Sequence, residues 1–198
     1  MTMTANETDT EPRTPAGQNQ TGGDFFHTLG LVFVVMGAVF GFGLLPRVLH
    51  HESSEMAGKV GPAFSLPLVA NAPSADIQKL DLSQYKGKAV ILDFWATWCG
   101  PCQAQSPVLD RMAHRYQDRG LAVVGIDTSD APGAAARWIA AHGITYPIAY
   151  DDEGDAARLY GVNNLPTLVI LSREGKVVAV REGFTGASEL ESLLQRVL

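Results

Sequence analysis

Both cysteines of this 198-residue chain fall in one five-residue string, Trp98-Cys99-Gly100-Pro101-Cys102. Two intervening residues bring the thiols close enough to form a short-loop disulfide, so the string can exchange with other disulfides. It stands where an apolar run, Ala89-Val90-Ile91-Leu92-Asp93-Phe94-Trp95-Ala96, gives way to a helical pattern. A cysteine at that junction meets the unpaired N–H groups and the positive end of the helix dipole, which stabilise a thiolate and lower its pKa. Cys99 is therefore expected to be the reactive thiol, and Cys102, inside the helix, the more buried and less reactive one. Pro101 fits the first helical turn, where its missing N–H is no loss.

Other uses of a cysteine pair fit less well. A zinc site needs a second pair of ligands at suitable spacing, and there is no third cysteine. The five histidines, at 27, 50, 51, 114 and 142, form no cluster with the motif, so no metal site is expected. A disulfide spanning two residues constrains too little chain to serve mainly as a staple. The alternative from another class is a tethered copper-binding, metallochaperone-like module using the cysteine pair, but the sequence assigns it no His or Met as a third ligand. Fifteen Lys+Arg against 21 Asp+Glu give a net charge of −6 with no stretch concentrating the basic residues, so no nucleic-acid partner is expected.

Asp93 is the anomaly of the apolar run. A lone carboxylate in a strand buried on both faces costs several kcal/mol, of order 2–7, unless it is paired or neutralised. Perturbed carboxylates collect at functional sites, so Asp93 joins Cys99 and Cys102 as a catalytic candidate with a raised pKa.

The elements that must position these residues follow from composition and periodicity. Residues 1–24 carry Glu7, Asp9, Glu11 and Asp24 against Arg13 alone, lack apolar periodicity, and read as a disordered tail. Residues 25–45 hold no Asp, Glu, Lys or Arg, and as a helix of 21 residues would span about 30 Å, the thickness of a bilayer core. The acidic flank and the absence of a small-residue cleavage site favour a retained transmembrane anchor over a cleaved signal. Lys and Arg near its ends give only a weak asymmetry, Arg13 before it and Arg47 and Lys59 after it. Residues 46–60 read as a polar tether and 61–198 as one globular domain. Within that domain, strands are predicted over 63–69, 76–82, 88–96, 121–127, 147–150, 167–171 and 176–181, with a turn over 83–87. Helices are predicted over 101–119, 132–142, 155–160 and 187–197. The alternation of strand and helix followed by a hairpin and a helix gives an α/β fold with a mixed sheet.

The string from Phe94 to Cys102 resembles the active site of thioredoxin-like proteins. The wider pattern is similar to the membrane-anchored thiol–disulfide oxidoreductases of the TlpA/ResA type. It includes Gly61-Pro62-Ala63-Phe64-Ser65-Leu66, Lys86-Gly87-Lys88, and Tyr160-Gly161-Val162 before Leu165-Pro166-Thr167. The resemblance covers roughly 60–198 and implies a thioredoxin fold, its mixed central sheet flanked by helices, with a central α/β insert over 132–160. It implies Cys99 as the attacking and Cys102 as the resolving cysteine, and a cis peptide bond before Pro166 beside the disulfide. Trp98, Gly100, Pro101, Leu165 and Pro166 would then contact the substrate, the Leu165 backbone pairing with an incoming peptide. It also implies an extracytoplasmic, periplasmic-side domain that acts as a monomer without a cofactor. Such a domain reduces oxidised client proteins, as in cytochrome c biogenesis, and is recharged by a membrane thiol electron donor.

Two departures from that group stand out. Gln105 takes the place of a glutamate three residues after the second cysteine, and Asp93 the place of a frequent asparagine. The lysine that neighbours this aspartate in thioredoxins would fall near Val123, so no buried partner for Asp93 is expected. Peroxiredoxins share the lead-in, but their signature needs a proline seven residues before the first cysteine and a hydroxyl three before it. Leu92 and Ala96 stand there.

Overall fold

The apolar run forms β3, Ala89–Trp95, and every residue in it is buried. In the computed structural model, which describes residues 56–198 and Met36, β3 lies inside a seven-stranded sheet. The predicted tail, most of the predicted span 25–45 and the tether up to residue 55 lie outside the described residues. Among the described residues no helix is long and apolar enough to cross a membrane.

The other strands are β1 (Ser65–Ala70), β2 (Lys79–Asp81), β4 (Leu121–Asp127), β5 (Ile148–Tyr150), β6 (Thr167–Leu171) and β7 (Val177–Glu182). Their spatial order is β2-β1-β5-β4-β3-β6-β7. β3, β4 and β5 run parallel, and the remaining pairings are antiparallel. Four helices connect and cover them: α1 (Gly100–Tyr116), α2 (Ala134–His142), α3 (Asp155–Leu159) and α4 (Ala187–Leu194). The expected insert supplies α2, β5 and α3, with β5 wedged between β4 and β1.

A strand with side chains on alternate faces splits the apolar run between two cores. Ile91 and Trp95 pack with Cys102, Leu109 and Met112 of α1 and with Leu190 and Leu193 of α4. Val90, Leu92 and Phe94 pack on the other face with Phe64 and Tyr160. Continuous burial, rather than alternation, is what a central strand covered on both sides requires. Asp93 lies between Ile91 and Trp95, so its side chain belongs to the α1 face.

Three expectations change in detail. The strand expected over 76–82 shrinks to β2, because Pro73-Ser74-Ala75-Asp76 and the following polar residues supply turn chemistry and no apolar face. The turn expected over 83–87 becomes a 3-10 turn at Leu82–Tyr85. Its capping box has the Ser83 N–H donating to Asp81 and the Asp81 N–H donating to Gln84. Folded structure also starts before residue 61: Val60 bridges Lys176, and the Val177 N–H donates to the Lys59 carbonyl at 2.9 Å. A single bridge carries no periodicity, which is why residues 56–60 read as tether from sequence.

Gly125 is the point of closest approach on this face. It stands opposite Asp93 in the β3–β4 register. A Cβ there would lie 2.5 Å from Ile148 Cδ1, 3.1 Å from Trp95 Nε1 and 3.2 Å from a Tyr146 ring carbon. All three neighbours are buried and cannot swing away freely. Gly125→Ala should therefore lower stability by roughly 1–3 kcal/mol, as overpacking of a filled core does. Urea unfolding measures it, and an unchanged midpoint would contradict this packing.

Candidate active site

The end of β3 delivers Cys99 to the N-cap of α1, with extended backbone angles (φ −83°, ψ 103°). Its Sγ accepts a hydrogen bond from the Cys102 N–H at 3.2 Å. Cys99 and Cys102 are joined as a disulfide, their Cα atoms 5.2 Å apart. Pro101 sits in the first turn of α1, as its missing N–H permits. Cys99 keeps a sliver of exposure at 6%, whereas Cys102 is sealed at 0%. Trp98, just before the pair, is 66% exposed, and Gly100 and Pro101 are also exposed. A partner can therefore approach Cys99 from solvent, while Cys102 can be reached only through Cys99.

The loop before the pair is held by a carboxylate. Asp130 accepts the Thr97 N–H at 2.8 Å and the Thr97 hydroxyl at 2.7 Å, one on each oxygen. Gln103 donates to the Thr97 carbonyl at 2.6 Å, closing the loop onto the first turn of α1. Asp127, at the end of β4, accepts the Asp130 N–H at 3.2 Å. Burial, then the negative charge of Asp130, pushes the Asp127 carboxyl up to about 7. This support was not legible in the sequence, since it joins residues 33 positions apart.

Asp93 lies fully buried on the same face as Cys102. Desolvation raises its carboxyl to about 7, opposed by a hydrogen bond from Tyr146. That bond, from the Tyr146 hydroxyl to Asp93 Oδ2 at 3.3 Å, corrects the expectation that Asp93 has no buried partner. Val123 is apolar and buried, as read from the sequence, but the segment leading into β5 brings the Tyr146 phenol to this face instead. Asp93 Oδ1 makes no hydrogen bond within the protein, and neither does the neighbouring Trp95 Nε1. An ionised carboxylate with one unsatisfied oxygen in an apolar core is costly, and protonation removes that cost. Tyr146 is itself driven well above its usual range by burial and by the Asp93 charge, so it stays a donor. Ser106 interacts with the same phenol and donates to the Cys102 carbonyl at 3.1 Å. The buried groups thus run from Asp93 through Tyr146 and Ser106 to the backbone of the inner cysteine.

Gln105 is buried, and its amide both donates and accepts. Its Oε1 accepts the Thr185 N–H at 2.7 Å and its Nε2 donates to the Thr185 carbonyl at 3.1 Å. It is therefore a clamp between α1 and the segment before α4. That clamp places Phe184, which sequence reasoning missed. Gly183, on its other side, donates its N–H to the Pro166 carbonyl at 2.7 Å. Phe184 stands between these two anchors and is 53% exposed. The one available signal was a lone aromatic between Gly183 and Gly186. The Leu165–Pro166 peptide bond is cis, with Pro166 buried and Leu165 half-buried.

The described histidines are engaged elsewhere. His114 contacts Thr145 at 3.0 Å and Asp110 at 3.6 Å, and His142 stacks on Trp138. Among the described residues no group of three or more His, Cys, Asp or Glu is arranged to hold a metal ion.

The raised Asp93 carboxyl has a thermodynamic consequence. The folded protein holds this proton up to about pH 7, whereas the unfolded chain releases it near 4. Asp93 therefore adds nothing adverse below about pH 4, and its ionisation costs stability progressively as pH rises to about 7. Asp93→Asn should be more stable than wild type at pH 8 by on the order of 4 kcal/mol, a gap that closes toward pH 4. Denaturant unfolding of both proteins across pH 4–8 measures it, and a constant gap would contradict the buried ionisation.

Comparisons with known proteins agree with this geometry. The AhpC/TSA family matches residues 57–180. The thiol-disulfide oxidoreductase ResA of Bacillus cereus (strain ATCC 10987 / NRS 248) is 26% identical over 167 residues, covering 84% of this chain and 93% of that one. ResA of Bacillus subtilis (strain 168) is 28% identical over 158 residues, covering 80% and 84%. The crystal structure of a Chlorobium tepidum protein described as thiol:disulfide interchange protein DsbE superposes with a TM-score of 0.65 at 33% identity. It covers 73% of this chain and 99% of that one. The chain belongs to the AhpC/TSA family, with a thioredoxin-like fold, and is a thiol–disulfide oxidoreductase of the TlpA/ResA type.

Proposed function

We propose that the chain is a membrane-tethered, extracytoplasmic reductase of protein disulfides, anchored by residues 25–45. The observation that carries the redox reading is a disulfide at a helix N-cap whose outer cysteine meets solvent while its inner cysteine is sealed in the core. Clients are oxidised proteins outside the cytoplasm, apocytochromes c among them, a class implied by the sequence resemblance to the TlpA/ResA type. The spacer Gly100-Pro101 is that of thioredoxin, whose potential near −270 mV is far more reducing than the roughly −120 mV of DsbA.

The cycle begins with both cysteines reduced. The Cys99 thiolate attacks one sulfur of the client disulfide, and the other client sulfur departs as a thiolate and takes a proton. Cys102 then loses its proton to Asp93 and attacks Cys99 Sγ. The Cys99–Cys102 disulfide closes, the second client sulfur leaves as a thiolate and takes a proton from solvent, and Asp93 gives back its own when Cys102 is reduced again, two electrons having passed to the client. A membrane dithiol donor returns two electrons and reopens the disulfide. The client peptide lies against the cis Leu165–Pro166 segment, where the Leu165 backbone pairs with it as an added strand, between exposed Trp98 and Phe184. Tyr146 acts through Asp93 as a positioning residue, holding one carboxyl oxygen and leaving the other free for the proton.

Three variants test the assignment. Cys102→Ser should accumulate a mixed disulfide through Cys99, whereas Cys99→Ser should trap nothing, as read by non-reducing gels of native membranes. Asp93→Asn should slow release of that mixed disulfide by up to about 10²-fold near pH 7, the lower end of what a positioned base contributes. The defect should shrink toward pH 9, where Cys102 ionises unaided. Trapping through Cys102 would reverse the roles of the thiols. Wild-type release by Asp93→Asn across pH 6–9 would make Asp93 merely structural.

A further inference from the structure

The sequence spreads its basic residues, but folding gathers some of them. The Lys86-Gly87-Lys88 turn before β3 meets the β6–β7 turn, where the Gly87 N–H donates to the Arg173 carbonyl at 3.2 Å. Lys176, at the other end of that turn, bridges Val60. Between them runs a groove of about 420 Å³ whose walls include Val60, Leu82, Tyr85, Val90 and Leu171, with Lys86, Lys88 and Arg173 also lining it. Glu174 is the one carboxylate of the lining, and it is turned onto the Ser172 hydroxyl at 2.7 Å. None of the salt bridges among the described residues uses a lysine. Lys86 and Lys88 thus line the groove and Lys176 stands beside it, while the Arg173 guanidinium donates to the carbonyls of Val197, Arg119 and Leu198, in a chain whose net charge is −6. Val60, 69% exposed, adds an apolar contact at the rim.

The position of this face matters as much as its charge. Val90 opens β3 and Cys99 follows its end, so the groove lies about one strand length, roughly 20 Å, from the redox pair along the sheet. Residues 56–60 join the domain beside the groove. The 14 residues between the apolar span and Val60 reach at most about 50 Å, which keeps this face near any bilayer that holds the span.

We propose that the groove face docks the domain on the anionic headgroups of the bilayer that anchors it, a reading that rests on the anchor proposed above. Lys86, Lys88 and Lys176 reach headgroup phosphates, and Val60 with the apolar groove wall meets the interfacial layer. The dithiol then points away from the lipid, toward clients. Duplex nucleic acid is the other polyanion that a basic face attracts. It is disfavoured because the groove is mainly apolar and the tether ends beside it.

The full chain, reconstituted into vesicles of phosphatidylcholine alone or with about one third phosphatidylglycerol, tests this through lysine acylation read by mass spectrometry. Each cation near an anionic surface multiplies binding about five-fold. Lys86, Lys88 and Lys176 should therefore be acylated several-fold more slowly on the anionic vesicles, relative to Lys79 on β2. The protection should vanish at about 0.5 M salt. In the double variant Lys86→Glu/Lys88→Glu the protection of Lys176 should be lost while reduction of a small soluble disulfide is unchanged. Equal acylation on both vesicle types, or protection by an added DNA duplex but not by anionic lipid, would overturn the proposal. Release of the chain from neutral vesicles by alkaline carbonate would overturn the anchor itself, a distinct failure.

Discussion

A carboxyl group held in a fully buried strand of the sheet constrains the rest of this site. Asp93 sits fully buried beside apolar neighbours and titrates near 7 because water cannot reach it. Gly125 must lack a side chain so that Tyr146, Ile148 and Trp95 can close over it. β5 must be inserted beside β4 so that Tyr146 arrives at all. The insert between β4 and β6 therefore completes the proton site from two strands away on the same face of the sheet.

The two cysteines are differentiated by the same architecture. Cys99 lies outside the helix, receiving an N–H, while Cys102 lies inside it, over the apolar core that also holds Asp93. A buried thiol resists ionisation, and a buried carboxylate resists staying ionised, so a proton passing from one to the other relieves one cost as it incurs the other. Ordinary carboxylates, with pKa values near 4, are too weak as bases for that exchange at neutral pH. The hydrogen bonds of Asp130 to Thr97, and of Gln105 to Thr185, keep the loop, helix and client-facing segment in register around the pair.

Much of this was legible in the chain itself. The bounds of β4 and β6 follow directly from apolar runs closed by polar or turn residues, and Asp93 declares itself as a charge inside such a run. The missing parts share a physical reason: they are made by contacts distant in sequence. Tyr146 reaches Asp93 across 53 positions, and Gln105 reaches Thr185 across 80. No local period encodes either. Gln105 read as a vacancy where a carboxylate belonged, yet its two-sided amide suits a site that must both donate and accept. The basic groove was invisible for the same reason, because Lys86, Lys88, Arg173 and Lys176 come from two turns 85 or more positions apart from one another across the β3–β6 layer.

The central claim is that burial brings the Asp93 carboxyl into the neutral range, where it can both take up and give back a proton. Its side-chain carboxyl carbon, followed by NMR in the oxidised protein from pH 4 to 9 and assigned by comparison with Asp93→Asn, measures this directly. The account predicts a titration midpoint near 7, set by burial. A midpoint near 4, the value of a solvated carboxylate, would contradict it.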